Sequence, residues 1–91
     1  MKGKILAIDP GNVMSGFVVV EHDDENILRI EERGKIPNHE IMLQIDKFFL
    51  QSGKKNMAIE MIQSYGMPVG QTVFDTCVWI GRFLERMTHR D

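Results

Sequence analysis

A chain of 91 residues, 43% apolar and 26% charged, has the length for one small hydrophobic core and not for two. Its net charge of −2 advertises no polyanion partner, although a local basic patch or a carboxylate-rich metal site is compatible with that balance. No apolar run approaches the roughly 20 residues of a membrane span, the amino end lacks a signal-peptide pattern, and the single Cys77 excludes an intrachain disulfide, so a cytoplasmic protein is expected.

The stretch Lys4-Ile5-Leu6-Ala7-Ile8-Asp9 reads as a strand, apolar on both faces until it ends on a carboxylate. Apolar residues on both faces predict a central strand covered on both sides. An acid at the end of such a strand is costly to desolvate and calls for a cation or a chemical task, which makes Asp9 the first residue to explain. The loop Pro10-Gly11-Asn12-Val13-Met14-Ser15-Gly16 is too long for a two-residue hairpin, and Gly11 and Gly16 are read as turn glycines ahead of the alternative that they let a phosphate or metal approach the backbone. Ser15 to Glu21 returns as a second strand rich in β-branched residues.

His22-Asp23-Asp24-Glu25-Asn26 is acidic enough to suggest a metal site. Adjacent acids on a flexible turn lack fixed geometry, so it is read as a solvated hairpin tip. Ile27 to Gly34 forms a third strand with Arg29, Glu31 and Arg33 expected on one face, completing an antiparallel meander.

Pro37-Asn38 opens a helix with Asn38 as its expected cap and a buried stripe of Ile41, Ile45, Phe48 and Phe49, ending at Ser52-Gly53. His39 is read as a surface residue. After Lys54-Lys55, the run Asn56 to Ile62 is a second short apolar strand holding one acid, Glu60. Strand, helix and strand in this order favour a right-handed crossover that lays this strand parallel to the first. Asp9 and Glu60 then fall together near the carboxyl ends of parallel neighbours, where open α/β sheets place their sites.

A loop, Gln63 to Pro68, leads from Glu60 to a long helix from Val69 to about Met87. Its expected apolar stripe is Val73, Cys77, Ile80, Leu84 and Met87, widened by Phe74, Val78 and Gly81, with Cys77 an inert core residue and Asp75 a surface acid. Arg82, Arg86 and Arg90 lie four apart, a basic line flanked by Trp79 that can hold phosphates if it stands beside a carboxylate site.

Ile8-Asp9-Pro10-Gly11 followed by Ser15-Gly16, then Ala58-Ile59-Glu60, resembles the RuvC-type Holliday junction resolvases of the RNase H-like superfamily. The runs Glu60 to Gly70 and Phe74 to Phe83 resemble the phage and prophage branch of that family, and the similarity spans essentially the whole chain. The resemblance implies one RNase H-like α/β domain over residues 1–91, with βββαβα order and a mixed sheet. It also implies that the family's carboxyl-terminal strand and helix, with their further acidic ligands, are missing.

By position, only Asp9 and Glu60 carry over as catalytic and metal-binding residues, Asp9 bridging two Mg²⁺ or Mn²⁺ ions and Glu60 binding one. The implied activity is metal-dependent cleavage of branched DNA by a homodimer, impaired or absent at this length. Tyr65 or Met67 would meet a base, and Lys54, Lys55, Arg82 and Arg86 would hold the phosphates of branched or duplex DNA. Two alternatives stand beside it. One is a noncatalytic DNA-binding or dimerisation remnant that pairs through an apolar helix face containing Trp79 and Phe83. The other is a nucleotide-binding fragment of the actin and sugar-kinase group, which shares the Asp-x-Gly strand turn.

Overall fold

The first three strands form the expected meander in a computed structural model that describes residues 2–62 and 70–88. They are β1 (Gly3–Asp9), β2 (Met14–His22) and β3 (Ile27–Pro37), followed by α1 (Asn38–Phe49), β4 (Lys54–Ile59) and α2 (Gln71–Thr88). The sheet order is β3-β2-β1-β4, with β2 antiparallel to both β1 and β3 and β4 parallel to β1. The result is a small α/β fold with a mixed four-stranded sheet and two helices. Among the described residues, no helix is long and apolar enough to cross a membrane.

Period two decides which side of the sheet each residue joins. Leu6 and Ile8 of β1 and Phe17 and Val19 of β2 point to the side where Ile41, Ile45 and Phe48 of α1 and Phe83 of α2 complete the core. Met57 and Ile59 of β4 pack against the same cluster. The opposite side carries Ile5, Ala7, Val18 and Ala58, and among the described residues no helix covers it. β1 is therefore central in the sheet, as expected, but among the described residues helices cover it on one face and not on both.

Three local expectations change. Asn38 does not cap α1: Pro37 holds the cap position, without a side-chain hydrogen bond, and Asn38 is the first helical residue, 1% exposed. Its amide group is turned instead into the loop after β1. In β3, the pairing shifts between Val19 and Val20, so Glu31 is an extra residue and the alternation inverts there. Arg29 and Glu31 stay on the helix side, where they pair with each other and Glu31 meets Lys4 at 3.0 Å, whereas Arg33 emerges on the uncovered side.

In α2, the buried residues are Thr76, Ile80 and Phe83, with Trp79 and Met87 packed beside them. Cys77 is exposed rather than a core residue, Leu84 stands 40% exposed, and Phe74, Val78 and Gly81, expected to widen the apolar stripe, are exposed as well. Trp79 and Phe83 face the core and do not form a free pairing surface. An apolar pattern does not include the polar Thr76, whose burial is permitted because its hydroxyl donates to the carbonyl of Thr72 at 2.9 Å within the helix.

Candidate functional site

The parallel pairing matches Ala7 with Ala58 and Ile8 with Ile59, and the amide of Glu60 donates to the carbonyl of Ile8 at 3.1 Å. That bond carries the ladder one residue past β4, so Glu60 stands abreast of Asp9 on the neighbouring strand. Adjacent strands lie about 4.8 Å apart, and residues abreast of each other share a face. Asp9 and Glu60 are both exposed, and both line one groove of about 780 Å³ on the uncovered side of the sheet. Ala7, Gly16, Val18 and Ala58 supply much of its floor, with Arg33 on the β3 side.

The loop beyond Asp9 is fixed by a buried polar cluster. The Ser15 hydroxyl donates to Asn38 Oδ1 at 2.5 Å and accepts the Gly11 amide at 3.0 Å. Asn38 Nδ2 donates to the Gly11 carbonyl at 2.9 Å, and the Asn38 amide donates to the Val13 carbonyl. Buried polar groups hold their place only when paired in this way, so Ser15 and Asn38 tie the loop to the start of α1. Gly11 is required for a steric reason, since a Cβ there would overlap the carbonyl oxygen of Met14. The order Asp-Pro-Gly followed by Ser therefore has a local cause: a turn packed tightly enough that the carboxylate before it leaves the sheet at a set place.

The expected phosphate-binding residues do not gather around this groove. Lys54 opens β4 opposite Gly3, at the end of the strand remote from Glu60, roughly 20 Å away at the rise of an extended chain. Lys55 is occupied: its ammonium donates to the carbonyl of Phe49, an acceptor left open at the end of α1, and to that of Gln51 in the turn just beyond it. Arg82 lies over the Trp79 ring at 4.8 Å, and Arg86 pairs with Asp46 of α1 at 3.5 Å. These two arginines share a second groove with Met42 and Glu85 on the helices. Tyr65 and Met67 lie outside the described residues.

The acidic hairpin tip is held by its own backbone. Asp23 accepts the amides of Glu25 at 2.9 Å and Asn26 at 2.7 Å, which keeps its carboxyl below the usual range. This turn geometry accounts for Asp23 without a cation. Among the described residues, no three His, Cys, Asp or Glu side chains group together as metal ligands. Asp9 and Glu60 are a pair, not a cluster. What the periodicity could not reveal was Arg33, whose place in the groove depends on the β3 bulge.

No protein-family model matches the chain, and no curated protein matches its sequence.

Proposed function

We propose that this chain is a RuvC-like domain of the RNase H-like class whose Asp9 and Glu60 bind divalent cations at a site for DNA phosphodiester hydrolysis, with branched DNA as the substrate. The reading is supported by the resemblance around both acids and by the order of the sheet. The observation that carries it is the placement of Asp9 and Glu60 abreast on adjacent parallel strands, open to one groove.

The donor set fits the metals. Two exposed carboxylates offer hard, anionic oxygens of the kind that Mg²⁺ and Mn²⁺ prefer, and Mg²⁺ is commonly held by one or two carboxylates with water completing its shell. When bound, such ions activate a water molecule and stabilise the leaving oxygen of a phosphodiester. The chain's own contributions are mechanical and electrostatic. The hydrogen-bonded ladder fixes the spacing of the two acids, and the Gly11, Ser15 and Asn38 cluster fixes the turn from which Asp9 projects. The mutual repulsion of the acids favours a cation between them, and the open floor admits a nucleic-acid backbone.

With two carboxylates, metal affinity is expected to be weak and turnover low. The decisive experiment is equilibrium Mn²⁺ binding followed by junction cleavage, with Asp9→Asn as the control. Mn²⁺ bound by the wild-type chain and lost in the variant supports the reading. Equal binding by both removes it.

A noncatalytic module that joins two copies is the second reading. It is favoured by the outward face of α2, where Phe74 and Val78 stand 58% and 55% exposed. Sedimentation of the wild-type chain and of Phe74→Ser tests it, with a dimer that the substitution dissociates as the supporting result.

A further inference from the structure

The uncovered sheet face carries charges of both signs, arranged by the pairing of its strands. Lys35 of β3 pairs with Gly16 of β2, Gly16 pairs with Asp9 of β1, and Glu60 stands next in the same row. One row away, Arg33 pairs with Val18, Val18 with Ala7, and Ala7 with Ala58. Two cations on one edge strand thus face two acids across a floor of small side chains. Arg33 and Lys35 are exposed, and among the described residues neither has a carboxylate partner.

Three features constrain what such a face would hold. First, β3 stands about 10 Å from β1 and about 14 Å from β4, taking neighbouring strands as about 4.8 Å apart. Side chains stand roughly perpendicular to a sheet, so one anion at the acid pair does not also satisfy both cations. The matching ligand carries several negative charges in sequence. Second, the floor between is carbon, from Ala7, Val18 and Ala58, with no side chain at Gly16. A ligand with carbon between its charges fits that floor better than inorganic polyphosphate does. Third, the acids repel an anion unless a metal intervenes, whereas the two cations attract it with or without metal.

The geometry points to Arg33 and Lys35 as the phosphate-binding residues of a polynucleotide track that crosses the sheet perpendicular to its strands, from β3 to the acids on β1 and β4. This inference rests on the proposed nuclease reading and adds to it the direction of the strand and the residues that hold it. It places the track on the face opposite the helices that carry Arg82 and Arg86.

The test is fluorescence anisotropy of a short labelled single-stranded DNA in chelator, where metal binding plays no part, over a series of salt concentrations. The double variant Arg33→Gln with Lys35→Gln is expected to weaken binding on the order of tenfold and to flatten the salt dependence by about 1.4 in log–log slope, two phosphate contacts at about 0.7 each. Lys54→Gln, at the far end of β4, is expected to match the wild type, and circular dichroism checks that each variant is folded. An unchanged affinity and slope in the double variant overturns the track. So does a wild-type chain that binds no oligonucleotide, or a loss in Lys54→Gln equal to that in the double variant. Mn²⁺ binding by Asp9 and Glu60, measured separately without DNA, reports on the nuclease reading, so failure of the track and failure of that reading are told apart.

Discussion

Asp9 and Glu60 stand side by side because the amide of Glu60 donates to the carbonyl of the residue before Asp9, 3.1 Å away. One backbone bond beyond the end of β4 brings two distant acids abreast, and parallel pairing gives their side chains the same face. If the pair is a cation site, neutralising either acid should cost most of the binding. Asp9→Asn and Glu60→Gln are each expected to lower Mn²⁺ affinity at least roughly tenfold, since a single carboxylate is a poor anchor for a hydrated ion. Both residues are exposed, so thermal unfolding should change little. Calorimetric titration with Mn²⁺ on the folded variants decides the matter.

Gly11 should tolerate no side chain. A Cβ at this position would overlap the Met14 carbonyl oxygen, which belongs to the backbone and cannot swing aside as a flexible side chain would. Gly11→Ala is expected to destabilise the chain by about 1–3 kcal/mol, the usual range for forced overpacking. Gly16→Ala is the comparison, because there the nearest atom is Asp9 Cβ at an ordinary 3.7 Å. Urea unfolding of both variants should rank Gly11→Ala as clearly the more damaging.

The parts of the fold that were legible in the chain are those governed by period two and by connection length. Asp9 and Glu60 each interrupt an apolar strand, and the helix between those strands is long enough for a crossover, so their meeting followed from the order of elements. Arg33 parts from Arg29 and Glu31, with which strict alternation groups it, because the bulge at Glu31 inserts one residue, and nothing in the composition of Ile27 to Pro37 marks where an extra residue will sit. Asn38 looked like a cap because caps and buried networks use the same side chain. Its choice depends on Ser15 and Gly11, far away in sequence. In α2, two apolar stripes compete for the core, and the one that wins includes Thr76 and Phe83, a decision made by α1 and the sheet rather than by the helix itself.

Ser15 and Asn38 should behave as one unit. Both are 1% exposed, and removing either leaves the other's buried polar group without its partner. Each alanine substitution is expected to cost about 1–3 kcal/mol, the desolvation penalty of an unsatisfied buried group. The double variant should cost clearly less than the sum, because the second substitution removes a group already orphaned by the first. Chemical denaturation of the four proteins in the cycle measures that coupling, and strict additivity would show that the two side chains act independently.

Glu31 ties the bulge of β3 to β1. Its hydrogen bond with Lys4, with Arg29 as a lesser contributor, holds its carboxyl below the ordinary value. A carboxylate whose pKa is lower in the folded than in the unfolded chain stabilises the fold fully above the unfolded value. It loses that contribution as pH falls through the folded one. Glu31→Gln is therefore expected to unfold more easily than the wild type at pH 7, by up to about 1 kcal/mol given the partial solvent screening of the pair. The gap should begin to close as pH drops below about 4.5 and vanish once the wild-type carboxyl is protonated. Thermal unfolding of both proteins from neutral to acid pH gives the comparison. A gap that stays constant across that range would assign the difference to packing at the bulge and not to the charge on Glu31.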